Sequence, residues 1–394
     1  MANIKADQVW TGDLNKAALD GPKMPAPKFY DTTLRDGEQA VGVVFDPEEK
    51  LSIARIVDSL GAARIEAGFP RVSEEDAQAI RMISKAGLSA EIWGFSRALA
   101  PDVDAVAELG LKACVIEAPV AEGKMKALNI TRETVLNRVK TSIERAIALG
   151  VKVAYFGVDA TRADLGFLET VYKTARDAGA SEFAIVDTMG IAVPEAVSFL
   201  VKRAQGWFDR GTPIHFHGHN DFGLATANSL AAAKAGAQWI HGTIDGIGER
   251  GGNANLPEIA MALEILYGCD CGYRMEKIRA ASEYLRKTAK YSLEPWKPVV
   301  GDNLFVRETG AVSAQFHLPH AIEPYSAAIL DTPRRIVVGK KSGAASIDIK
   351  CGELGIDLDK ERKTELLAKV KARAIASKSL VSDEDFKKLA ASLE

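Results

Sequence analysis

CVIEAP at 114–119 and FAIVDT at 183–188 decide the fold. Each run is short, apolar on both alternating faces, and closed by polar or turn-forming residues. A strand that is apolar on both faces is buried on both, which happens in a parallel sheet covered by helices. Working outward, runs of this kind recur at Lys28–Asp31, Arg64–Ala67, Ala90–Gly94, Ala113–Glu117, Lys152–Phe156, Phe183–Asp187, Ile214–His217 and Ile240–Thr243. Helical spacing fills the intervals at Pro47–Leu60, Glu74–Ala86, Arg132–Leu149, Asp164–Ala178, Pro194–Gln205, Leu224–Ala235 and Leu256–Ile265. Pro47 and Pro194 each open a helix, in the turn where a missing backbone N–H costs little. Eight strands in roughly 240 residues point to α/β architecture and a closed (β/α)8 TIM barrel, with a doubly wound open sheet as the alternative.

On either side of this rhythm the pattern changes. Residues 1–26 read as an N-terminal arm stiffened by Gly21-Pro22 and Pro25. Beyond about 270 the alternation stops: Met275–Lys290 reads as a helix, and 301–343 is irregular and rich in Gly, His, Pro and aromatics. Lys360–Ala376 and Asp383–Leu393 read as charged helices, with Ser382 placed to cap the second. The expected division is therefore an arm at 1–26, a catalytic barrel at 27–270, and a small, mainly helical subdomain and active-site cover at 271–394.

Of the 394 residues, 47% are hydrophobic and 26% charged, which excludes a fibrous or wholly disordered chain. Fifty basic and 53 acidic side chains leave a net charge of -3, so no global positive field gathers nucleic acid. Nothing reads as a membrane span or a secretory signal. Cys114, Cys269, Cys271 and Cys351 are too few and scattered for a disulfide scaffold, so a reducing cytoplasm is expected.

The chemistry collects at strand ends. His215, His217 and His219 alternate along the seventh strand and so share one side. His217 and His219 fall at its C-terminal end, the rim where a barrel places its active site, and two imidazoles so spaced can chelate one divalent ion. A histidine ladder satisfied beneath a loop is the plainer alternative. Hard ligands must come from other strands. The first offers Arg35, Asp36 and Glu38; the eighth offers Asp245, Glu249, Arg250 and Asn253. Gly246 to Gly251 matches GxGxxG, but it closes the barrel pattern instead of opening a βαβ unit, so the glycines read as a tight rim turn. Glu66, Arg97, Glu117, Asp159, Arg162 and Asp187-Thr188 complete a polar rim, whose arginines could receive carboxylates.

DTTLRDGEQ at 31–39, HFHGHNDFGLATAN at 215–228 and GTIDGIGERGGN at 242–253 together resemble the metal-dependent barrel family of 2-isopropylmalate, homocitrate and citramalate synthases, with hydroxymethylglutaryl-CoA lyase more distant. Looser similarity reaches VVGKKSG at 337–343. The resemblance implies a divalent ion (Mn, Mg, Zn or Co) held by Asp36, His217, His219 and Asn253. It implies that Arg35 contacts the keto oxygen of a 2-oxo acid, that Gln39 and Thr188 line the substrate pocket, and that Glu66 and Arg97 neighbour it. Acetyl-CoA would be the second substrate, and a homodimer the expected assembly, with no nucleic-acid or membrane partner.

Two departures from the family pattern stand out. Val158 replaces a glutamate that would contact substrate. Val312, in ETGAVSAQF at 308–316, replaces a catalytic histidine; His317, His320 and Tyr325 follow and are the candidates to compensate. Feedback through an extra C-terminal leucine-sensing domain is not expected, and GERGGN lacks the cysteine of the lyase. Condensation of acetyl-CoA with a small 2-oxo acid is the leading expectation. The alternative is a CoA-independent aldolase or lyase acting beside a metal-bound 2-oxo acid.

Overall fold

The computed structural model describes residues 4–19 and 24–393. The Gly21-Pro22 punctuation of the arm lies outside them. Two compact units emerge: one is Asn15–Ser292, and the other joins the described residues up to Leu14 with those from Leu293 onward.

The first unit is a closed barrel of eight parallel strands, β1 (Lys28–Asp31), β2 (Arg64–Glu66), β3 (Glu91–Arg97), β4 (Ala113–Pro119), β5 (Lys152–Val158), β6 (Glu182–Asp187), β7 (Ile214–Gly218) and β8 (Trp239–Gly242). Closure is direct, with β1 running beside β8 in the register Lys28↔Trp239 to Asp31↔Gly242. Tyr30, Trp93, Phe95, Val115, Phe156, Val186 and Trp239 fill the interior as one apolar cluster. Alternation along each strand sends every second side chain inward, so the residues two further on form the mouth.

The covering helices follow the expected grammar. Pro47–Leu60 opens on a reciprocal cap in which Asp46 Oδ1 accepts from Glu49 N at 2.8 Å and Glu49 Oε2 accepts from Asp46 N at 2.9 Å. It ends at Gly61, whose φ of 95° is the left-handed conformation glycine tolerates. Ile53, Ala54, Val57 and Leu60 form its buried stripe, with Ile53, Val57 and Leu60 each worth about 1.5–3 kcal/mol of burial. An aspartate at 57 would break that face. Two barrel helices escape the sequence pattern: Ala100–Glu108, whose N-cap Leu99 offers no polar side chain, and Glu122–Ala127, less than two turns long.

In the second unit, Ala344–Leu354, Lys360–Ser377 and Asp383–Ala391 pack around Ile347, Leu366, Val370 and Phe386. Ser382 caps the last helix, its Oγ accepting from Asp385 N at 3.1 Å. The irregular stretch holds a two-stranded parallel sheet, Val306–Arg307 with Arg335–Ile336. Residues of the arm pair with it: Val9 bridges Tyr325, Trp10 N donates to Pro324 O at 2.9 Å, and Ser326 N donates to Gln8 O at 2.8 Å. The helix Ala344–Leu354 is a further element that periodicity missed.

Candidate metal centre

After β1 the chain turns back over the barrel mouth. The N–H groups of Asp36 and Gly37 both donate to Thr32 O, at 2.9 and 3.0 Å. Thr33 Oγ1 accepts from Ile244 N at 3.0 Å, tying this turn to the end of β8. Asp36 is thereby held inward and buried. His217 and His219 reach the same point from β7, as alternation requires. Asp36 Oδ2 lies 3.1 Å from His217 Nε2 and 3.7 Å from His219 Nε2, and the two nitrogens are 3.4 Å apart. These three ligand atoms lie within 4.8 Å of one another, all on buried residues.

The charge state suits a cation. Burial pushes the Asp36 carboxyl up, but Arg35 and both histidines outweigh it and hold the group well below the usual carboxylate range. Burial, with His217 adding to it, lowers His219 to about 4, so its imidazole presents a lone pair at neutral pH.

Asn253 joins from the loop after β8. It forms an antiparallel bridge with His219, and its Nδ2 donates to Ile247 O at 3.1 Å. Its Oδ1 is buried with no partner, as is Asp36 Oδ2. An orphaned carboxylate oxygen beside two imidazoles, with an orphaned amide oxygen on the residue bridged to His219, is a donor set that fits a divalent ion. The glycines of this loop have a stated purpose. A Cβ on Gly248 would sit 2.2 Å from Asn253 Nδ2, and one on Gly252 (φ 86°) would sit 2.2 Å from Gly246 O. Arg250 then clamps the rim, with Nε 2.8 Å from Asp221 Oδ1 and Nη2 donating to Thr188 O at 2.6 Å.

Arg35 flanks the cluster. Its Nε donates to Glu66 Oε2 at 2.7 Å, its Nη1 lies 3.2 Å from Asp36 Oδ1, and its guanidinium sits 4.5 Å over the Phe95 ring. Burial would lower its pKa, but Glu66, Asp36 and Glu117 more than compensate, so it stays charged. Glu66 is itself raised by burial, against the pull of Arg35. Arg35 and Gln39 also line a cavity of about 530 Å³ with Leu34, Phe45, Phe69 and Val72.

The remaining predicted residues divide. Thr188 accepts from Asp159 N at 2.7 Å through Oγ1, joining the ends of β5 and β6. Arg97 turns to Asp102, with Nε donating to Oδ2 at 2.6 Å, and Arg162 turns to Asp159 at 2.5 Å. Both guanidiniums are thus engaged and about half exposed. His317, His320 and Tyr325 belong to the second unit, where His320 meets Trp10 edge-on at 6.3 Å. Val158 closes β5, and Val312 lies in the short helix Gly310–Ser313.

Sequence reasoning missed a second polar layer beneath the mouth. His215 Nε2 lies 2.7 Å from Glu182 Oε2 and its Nδ1 lies 2.9 Å from His241 Nε2. Arg64 grips Glu182 at 2.5 and 3.0 Å, sandwiched between Trp93 and Trp239. The inward alternation of β2, β6, β7 and β8 was the available signal.

A protein-family model described as HMGL-like matches residues 26–285. The chain belongs to that family. It is a metal-dependent (β/α)8-barrel enzyme of the superfamily that spans HMG-CoA lyases and the 2-isopropylmalate, homocitrate and citramalate synthases. It is 43% identical over 348 residues to homocitrate synthase AksA of Methanopyrus kandleri, covering 87% of this chain and 86% of that one. It is 38% identical over 383 residues to 2-isopropylmalate synthase of Methanocaldococcus jannaschii, covering 95% and 73%. Among solved structures, the HMG-CoA lyase of Bacillus subtilis superposes with a TM-score of 0.62 at 19% identity, over 68% of this chain and 97% of that one. At that identity the likeness is one of fold. No helix among the described residues is long and apolar enough to cross a membrane.

Proposed function

We propose that this HMGL-like enzyme condenses acetyl-CoA with a small 2-oxo acid, giving a 2-hydroxy-2-alkyl dicarboxylic or tricarboxylic acid and free CoA. The observation that carries the reading is the convergence of Asp36, His217 and His219 with a charged arginine 3.2 Å from Asp36. Relatives named as homocitrate and 2-isopropylmalate synthases support the reaction class and leave the acceptor open.

A divalent ion held by Asp36, His217, His219 and Asn253 would supply Lewis-acid polarisation of the keto group. The chain's own part is electrostatic. Arg35 donates to the keto oxygen, an interaction that strengthens as negative charge grows there. Glu66 fixes the guanidinium by its 2.7 Å bond to Nε and Asp36 holds Nη1 at 3.2 Å, leaving Nη2 for substrate. Gln39 and Thr188 line the acceptor pocket, with Arg97 at its edge. His317, His320 or Tyr325 closes over the acetyl group, a homodimer brings them there, and the enzyme works in the cytoplasm.

The test is thiol release from acetyl-CoA with Mn²⁺, Mg²⁺, Zn²⁺ or Co²⁺ against pyruvate, 2-oxoisovalerate, 2-oxoglutarate and oxaloacetate. Ion-dependent release with one of these acids is expected; none with any of them overturns the reading. The second reading, a CoA-independent aldolase or lyase, is favoured by the apolar Val158 at the end of β5. Formation of an oxo acid from a branched hydroxy acid without CoA would establish it.

A further inference from the structure

Among the described residues, Glu117 is the one strand-end carboxyl at the barrel mouth that the architecture leaves without a hydrogen-bond or ion-pair partner. On β4, Ala113 and Val115 belong to the interior cluster, so period-two alternation places Glu117 inward, one layer above Val115. Its lateral neighbours are Arg97 on β3 and Phe156 on β5. Arg97 is drawn away to Asp102, and Phe156 has nothing to donate. The other carboxyls that end strands are engaged. Asp31 accepts from Thr33 N, Glu66 from Arg35, Asp159 from Arg162, Asp187 from Thr161, and Asp245 from Ser282. Among the described residues Glu117 has no such partner, and its side chain is only part-buried.

From this placement we infer that Glu117 is the acid–base residue of the condensation, a role resting on the function proposed above. Its carboxylate takes a proton from the methyl carbon of the acetyl thioester; the C–H electron pair becomes the enolate. The enolate carbon attacks the keto carbon, whose C=O electrons pass to oxygen beside Arg35. Glu117 returns the same proton to that alkoxide, so the addition is proton-neutral, and water then hydrolyses the thioester.

The surroundings tune Glu117 for this exchange. Burial raises its carboxyl to about 7; Asp36 and Glu66 add to the rise, while Arg35 and Lys124 oppose it. The Glu117 charge in turn helps to raise Arg97 and Tyr155. An acid–base residue is most effective with its pKa near the working pH.

The experiment compares wild type, Glu117→Gln and Glu117→Asp as ion-loaded full-length protein, following thiol release from pH 5.5 to 9. For Glu117→Gln the expected result is a fall in kcat of about 10²–10⁴-fold, with the KM for the oxo acid within threefold and ion affinity unchanged. The rise in kcat through pH 7 should vanish in that variant and return in Glu117→Asp with partial activity. A Glu117→Gln enzyme within threefold of wild-type kcat, or one that keeps the limb near pH 7, overturns the assignment and leaves the proposed reaction standing. Wild type that releases no thiol with any acceptor overturns the reaction, and the assignment with it.

Discussion

Two polar layers share the barrel interior, and β7 contributes histidine to both. In the lower layer His215 is flanked by Glu182 and His241, and Glu182 is closed off by Arg64. In the mouth, two residues along the same strand, His217 and His219 face Asp36 with acceptor atoms left over. Apart from His241 Nδ1, the first layer spends its hydrogen bonds internally; the second holds several lone pairs in reserve. A buried imidazole is thus structural or functional according to whether its neighbours bring protons or only more lone pairs.

The contrast predicts opposite signatures, largest first. Arg35→Ala should lower kcat by about 10³-fold, the loss of a donor at a developing oxyanion, with an unchanged circular-dichroism spectrum. Glu182→Gln should do the reverse: about 3 kcal/mol less stability in urea unfolding, because it leaves the buried Arg64 only the half-exposed Glu91 as a counter-charge, with ion binding retained. His219→Ala should weaken ion affinity about a hundredfold by calorimetry while shifting stability little in ion-free protein. If Glu182→Gln lost the ion without loss of stability, the division into two layers would fail.

The smallest effect is a gain. A carboxyl raised to about 7 in the fold but near 4.5 when unfolded destabilises the native state once it ionises. Here the native state keeps its proton while the unfolded chain releases it, so stability falls from about pH 4.5 to 7 and then levels. The full shift would be worth about 3 kcal/mol, but solvent screens this part-exposed group, so Glu117→Gln should be about 1 kcal/mol more stable than wild type at pH 8 and show no difference near pH 4. A variant less stable at both pH values would mark Glu117 as structural.

The barrel was legible because each strand is apolar on both faces and each long helix carries its own punctuation. Pro47–Leu60 and Pro194–Gln205 run between the residues the pattern assigns them. Ala100–Glu108 and Ala344–Leu354 were not legible: the first is only nine residues long, and the second starts from Gly343 at the end of an irregular stretch. Asp36, His217 and His219 could be read together because HxH on a strand forces two rings onto one side. The Arg64–Glu182 pair could not: its partners lie 118 positions apart, and closure alone brings them together. Glu117 was visible only as a polar strand end; its isolation depends on where Arg97 goes.

The alternation of β7 carries a last consequence. Displacing that strand by a single residue against β6 or β8 would turn Phe216 and Gly218 toward the axis and all three imidazoles toward the helices. Cation capture is therefore a readout of strand register. A titrated ion reports, from the centre of the molecule, that the sheet has closed on itself in the correct alignment, and folding intermediates that pair β7 wrongly would be silent to it.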